Sequence, residues 1–150
     1  MKRTIFFDMD NTIAALYDIP NWLDKLRCYD PSPYAEAEAM LNMSILARYL
    51  NKLQAMGYKI GIISWLAKNS TYEYDQAVRQ VKEKWLHTHL RSVEFDYIHI
   101  TSYGFPKENF AVLPTDILFD DNEEIRNAWT GDAYEPSQIM EILKGLVNGE

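Results

Sequence analysis

Cysteine is almost missing from this chain. Cys28 stands alone in 150 residues, so no internal disulfide can form. A lone thiol also cannot build a thiolate metal centre, and it fits a reducing compartment, with the cytoplasm as the expected location. Basic residues are scarce beside acidic ones, 15 against 22, which gives a net charge of -7 and a pI near 4.9. Extended nucleic acid is therefore not an expected partner, because gripping a phosphate backbone takes clustered Lys and Arg. A small anionic ligand stays open, since local charge in a site can oppose the net charge. No apolar stretch approaches the ~20 residues of a membrane helix, and the run Thr4–Phe7, broken by Asp8, is too short for a signal-peptide core. Three motifs are also absent: the His-Glu-x-x-His zinc helix, the Gly-x-Ser-x-Gly elbow of serine hydrolases and the Gly-x-Gly-x-x-Gly turn of dinucleotide sites. A soluble globular domain is the expectation that remains.

What the chain does contain is a run of short apolar strands alternating with helical patterns. At 47% hydrophobic it can bury one sizeable core. Segments 4–7 (TIFF), 59–64 (KIGIIS), 96–101 (DYIHIT) and 116–119 (DILF) read as strands. Strong helix formers fill about 35–56, where Leu46, Leu50 and Leu53 recur at helical spacing and Gly57 supplies a stop. Ser70 is placed to cap a helix over about 71–90 with Val78, Val81, Trp85 and Leu86 on one stripe, and a last helix follows Pro136 with Ile139, Ile142, Leu143 and Leu146. Between about 14 and 34, three prolines and the aromatics Tyr17, Trp22, Tyr29 and Tyr34 mark a small irregular insert. Fully apolar strands alternating with helices predict a single α/β domain over 1–150, a parallel sheet with helices on both faces.

In such sheets ligands bind beyond the carboxyl ends of the strands. Polar groups stand where the predicted strands stop: Asp8 and Asp10, Ser64, and Asp120 with Asp121. Carboxylates gathered there would repel one another, by about 4 kcal/mol for two charges 4 Å apart at an effective dielectric near 20. Protonation or a bound cation relieves that repulsion. An oxygen-only ligand set favours Mg²⁺.

An apolar strand ending in Asp8-x-Asp10-x-Thr12, a second ending in Ser64, a later Lys107 and a final apolar strand ending in Asp120-Asp121 resemble, in order, the motifs of the haloacid dehalogenase-like (HAD) hydrolases. The resemblance implies a Rossmann-like HAD fold with the insert in place of a full cap. It implies hydrolysis of a phosphate monoester through an aspartyl-phosphate, with Asp8 as nucleophile and Asp10 as general acid and base. Ser64 and Lys107 would hold the phosphate, with Lys68 as a rival or second contact. Mg²⁺ would be held by Asp8, the backbone carbonyl of Asp10, Asp120 and Asp121. Ser64, Lys68, Tyr72, Lys84-Trp85-Leu86 and Leu90 further resemble the segment after the second motif in the 5'(3')-deoxyribonucleotidases, which implies a nucleoside monophosphate as substrate.

Plainer readings stand beside these. Asp8 and Asp10 suit a turn, Ser64 suits any strand end, and Asp120-Asp121 can open a helix, as Glu123 and Glu124 are expected to do. His87, His89 and His99 read as solvated or packed side chains rather than ligands. Tyr17, Trp22 and Tyr29 can pack the insert instead of stacking on a substrate. Two rival functions remain: a phosphotransferase of the same fold, and a catalytically silent HAD-like binding protein.

Overall fold

The computed structural model describes residues 2–149. Five strands, β1 (Thr4–Phe7), β2 (Lys59–Trp65), β3 (Tyr97–Thr101), β4 (Ile117–Phe119) and β5 (Asp132–Tyr134), form one sheet in the order β3-β2-β1-β4-β5. Every pairing is parallel. The crossovers carry α3 (Met43–Ala55), α4 (Tyr72–His89), α5 (Glu123–Ala128) and, after β5, α6 (Ile139–Val147). Two shorter helices, α1 (Trp22–Arg27) and α2 (Ser32–Glu36), precede α3. Among the described residues no helix is long and apolar enough to cross a membrane.

Alternation along β1 decides which side each layer covers. Ile5 and Phe7, with Ile60 and Ile62 of β2, meet Leu46, Leu50 and Leu53 of α3, Trp85 and Leu86 of α4, and Ile139, Leu143 and Leu146 of α6. Phe6, Ile63 and Leu118 point the other way, onto Trp129 and the partly buried Phe110 and Ile125. That second layer is thin: α5 and the 3₁₀ turn Lys107–Phe110. Gly61 belongs to this face, where an added Cβ would lie 2.6 Å from the Phe6 ring and 3.2 Å from Tyr97 Cβ.

The far end of the sheet is tied by Asp116. Its buried carboxylate accepts from the backbone N–H of Thr4 at 2.8 Å, Val112 at 2.7 Å and Leu113 at 2.9 Å. That locks β1 against β4, and the carboxyl ends of both strands therefore finish level: the Asp8 N–H donates to the Phe119 carbonyl at 2.9 Å.

Two boundaries and one buried helix face differ from the sequence reading. The helix expected from 35 begins at Met43, because residues before it are held elsewhere. Ala15 N–H bonds the Glu38 carbonyl at 2.8 Å, Met40 N–H bonds the Ile13 carbonyl at 2.9 Å, and Trp85 Nε1–H bonds the Ala37 carbonyl at 2.7 Å. These contacts override the helical propensity of an Ala/Glu-rich stretch, and Asn42 caps α3 instead, accepting from Ile45 N–H. Thr71 rather than Ser70 caps α4, accepting from Tyr74 N–H at 3.2 Å. On α4 the buried stripe is Tyr74, Val78, Lys82, Trp85 and Leu86, with Val81 only half-buried. Gly57, at φ +101°, does stop α3 in a conformation that a side chain would strain.

Segment 15–38 is closed at its base by Ala14 and Ala39, which pair with each other outside the sheet. It is fastened to α4. Tyr74 Oη donates to the Asp30 carbonyl at 2.8 Å, and the Tyr34 ring lies 4.8 Å from Lys82 Nζ.

Candidate active site

Because β1 and β4 end level, the residues that follow them face each other. Asp8 leaves β1 and Asp120 leaves β4, both buried, and Asp121 stands beside them with more of its surface in solvent. One carboxylate oxygen from each lies within 4.8 Å of the others. Lys107 reaches in from the 3₁₀ turn between β3 and β4. Its Nζ donates to Asp120 Oδ2 at 2.7 Å and Asp8 Oδ1 at 3.0 Å, and sits 5.4 Å from the centre of the Trp65 ring.

Thr12 fixes the other Asp8 oxygen. The loop after β1 folds back through N–H bonds from Thr12, Ile13 and Ala14 to the Met9 carbonyl, with Asn11 at φ +58°. That turn points the Thr12 hydroxyl at Asp8 Oδ2, 2.9 Å away, while Thr12 Oγ1 itself accepts from Asp121 N–H at 3.2 Å. One side chain thereby joins the loops after β1 and β4. Asp120 Oδ1 accepts from Asn122 N–H at 3.0 Å, so each of its oxygens is engaged.

Asp10 and Ser64 meet a cation that no motif identified. Lys82, buried on α4, donates to Ser64 Oγ and the Trp65 carbonyl, each at 2.7 Å, and to Asp10 Oδ2 at 3.1 Å. The signal was present in the sequence: Lys82 follows Tyr74 and Val78 at four-residue steps, a lysine in an otherwise apolar stripe.

The electrostatics follow from crowding. Burial and the facing Asp8 push Asp120 up to about 6, with Lys107 opposing. Partial burial and Asp8 push Asp121 up to about 8. Asp10 is raised by burial, against the pull of Lys82. For Lys107, burial works against the charge but Asp8 and Asp120 outweigh it, and the net direction is upward.

The structure thus gathers Asp8, Asp10, Ser64, Lys107, Asp120 and Asp121. Lys68 is exposed at the mouth of the cleft, its Nζ 5.9 Å from the Tyr103 ring centre, and among the described residues it pairs with no carboxylate. The carboxyl of Asp10 faces Lys82 and lies outside the group formed by the other three acids. The cleft above the acids encloses about 580 Å³, and Tyr17, Trp22, Tyr29 and Tyr34 from the insert line one wall of it. A shallower groove of about 650 Å³ between α3 and the end of α4 holds Arg48, His89 and Arg91 but no carboxylate.

No family model matches the chain, and no curated protein matches it either. Among solved structures it is similar to the D,D-heptose 1,7-bisphosphate phosphatase from Burkholderia thailandensis, with 17% identity and a TM-score of 0.50 over 85% of this chain and 71% of that one. At that identity the likeness concerns the fold. The parallel α/β arrangement expected from the sequence is the one the two share.

Proposed function

We propose that this chain is a Mg²⁺-dependent phosphatase that hydrolyses phosphate monoesters through an aspartyl-phosphate on Asp8. The observation that carries the reading is the grouping of Asp8, Asp120 and Asp121 at the strand ends with Lys107 bonded to two of them. A HAD-type phosphatase as structural neighbour supports the same class. The chain is read as one catalytic domain whose cap is the short insert, returning at Ala39 rather than 34.

The donor set fits the metal. Three carboxylates with no nitrogen or sulfur donor among them suit a hard cation, and the raised Asp120 and Asp121 show that Lys107 leaves part of the group's charge unrelieved. Mg²⁺ held by Asp8, Asp120, Asp121 and the Asp10 carbonyl would offset phosphate charge.

The chain's own groups then do the chemistry. Lys107 and Thr12 each hold one Asp8 oxygen, which orients the carboxylate toward the cleft. An Asp8 oxygen attacks phosphorus, the ester P–O bond breaks, and Asp10 gives its proton to the departing oxygen. Asp10, now a carboxylate, takes a proton from water as that water attacks phosphorus. The acyl–phosphate bond breaks, releasing phosphate and restoring Asp8.

A chelation assay tests the metal. With a generic aryl phosphate, EDTA should abolish turnover and Mg²⁺ should restore it. Thermal stability supplies a second readout, because Asp120 and Asp121 bind protons more tightly folded than unfolded. Their contribution to stability is complete below the ordinary 3.8 and is lost as pH rises through about 6 and about 8. Mg²⁺ takes the place of those protons. Its melting-temperature gain should therefore be larger near pH 8.5 than near pH 5, while full activity in chelated protein would remove the metal from the mechanism.

The two lysines are separable. Lys107→Ala should lower turnover by about 10²–10³, the loss typical of one oxyanion donor. Lys68→Ala should change it far less, and the reverse ranking would transfer the phosphate role to Lys68.

For the substrate, the reading favours nucleoside monophosphates. Tyr17 and Trp22 stack at 4.5 Å between ring centres, and Tyr17 and Tyr29 are more than half exposed beside the acids, offering flat faces to a base. In a screen, nucleoside monophosphates should exceed sugar phosphates, a heptose bisphosphate among them, by tenfold or more in kcat/KM, about 1.4 kcal/mol. Sugar phosphates ahead by that margin would retire the nucleotide reading and leave the phosphatase intact.

A further inference from the structure

Lys82 lies behind the cleft, 1% exposed, and no step above uses it. Burying an ammonium is costly unless it is paired and hydrogen-bonded. A methionine at this place in the stripe would fill the space between Val78 and Trp85 without that cost. The charge is therefore tied to what it touches. An ammonium carries three protons and accepts none. All three of Lys82 are taken, by Ser64 Oγ, the Trp65 carbonyl and Asp10 Oδ2. Lys107 differs, since its two contacts, with Asp8 and Asp120, leave one proton for a substrate oxygen.

We propose that Lys82 is a positioning residue that sets Asp10 and Ser64 for catalysis without touching the substrate, an inference that rests on the phosphatase reading above. Its proton on Ser64 Oγ makes that oxygen an acceptor, so the buried Ser64 hydroxyl keeps its own O–H for a phosphate oxygen. Its bond to Asp10 Oδ2 pins the carboxyl and leaves Oδ1 to face the departing oxygen. The Tyr34 ring, 4.8 Å from Nζ, closes the insert over this ammonium. One buried charge thus aligns the acid–base group with the phosphate hydroxyl, from a helix 72 residues away in sequence from Asp10.

The test compares two substrates, a nitrophenyl phosphate with a good leaving group and an alkyl phosphate with a poor one. Lys82→Met should lose at least about tenfold more kcat/KM on the alkyl ester, because a misplaced Asp10 matters only where protonation is needed. It should still form the fluoroberyllate adduct on Asp8, seen by ¹⁹F NMR, which shows that nucleophile and fold survive. Equal losses on both esters, or none, would overturn the proposal, since a packing defect does not sense the leaving group. Should the single variant not fold, Asp10→Asn/Lys82→Met removes both charges and is compared with Asp10→Asn. The further loss should then be the same on both esters, and one that grows with the poorer leaving group would overturn the positioning role. Wild-type protein that neither turns over nor binds fluoroberyllate would instead strike the phosphatase reading, and this inference with it.

Discussion

Asp8→Asn is expected to remove turnover by a factor on the order of 10⁵–10⁶, the scale of losing a covalent nucleophile outright. An amide oxygen is a poor nucleophile, so no aspartyl-phosphate can form at position 8. The substitution should not unfold the chain. The amide oxygen can keep the Lys107 contact, and the amide N–H₂ can meet Thr12, whose hydroxyl turns to accept instead of donate. Removing one of several crowded carboxylates also relieves repulsion, so metal-free Asp8→Asn should melt no lower than wild type. The discriminating probe is fluoroberyllate, which mimics the aspartyl-phosphate. It should bind wild-type protein and Asp10→Asn but not Asp8→Asn. An adduct on Asp8→Asn, or turnover within tenfold of wild type, would overturn the covalent mechanism.

The sheet was legible because its signal is local. TIFF, KIGIIS, DYIHIT and DILF are apolar runs bounded by polar residues, and each begins or ends within a residue of a strand. β5 was not legible: Asp132–Tyr134 is three residues at a sheet edge, too short for any period to show. The start of α3 was misread because Ala37 and Glu38 favour helix, while the contacts that hold them come from Trp85 and Ala15. The acids of the site could be named from strand ends, since a parallel sheet brings carboxyl ends together whatever lies between. Side chains arriving from elsewhere could not be assigned in the same way. Lys107 reaches Asp8 across 99 residues and Lys82 reaches Ser64 across 18, and neither distance leaves a trace in local pattern. Lys107 entered through the order of motifs. Lys82 has no motif, and only its place in an apolar stripe marked it.

Asp10→Asn is expected to cost about 10²–10⁴ in turnover, the range for losing acid–base assistance, with the largest share on alkyl phosphates. Burial raises the Asp10 carboxyl above its ordinary range, and Lys82 counteracts without reversing that shift. The acid form therefore persists to higher pH than an exposed aspartate would allow, and it is this form that protonates the departing oxygen. As pH rises through the raised value, kcat/KM for a poor leaving group should fall, because the proton is no longer held. Asp10→Asn should flatten that alkaline limb while leaving the acid limb, where protons compete with Mg²⁺ for Asp120 and Asp121, in place. The amide can still accept from Lys82 through its oxygen, so Ser64 stays oriented and the fluoroberyllate adduct should form as in wild type. An alkaline limb that persists unchanged in Asp10→Asn would assign the transferred proton to another group. The Tyr17 hydroxyl, whose proton is held more tightly by partial desolvation and by the nearby Asp121 and Asp10, would be the first to replace.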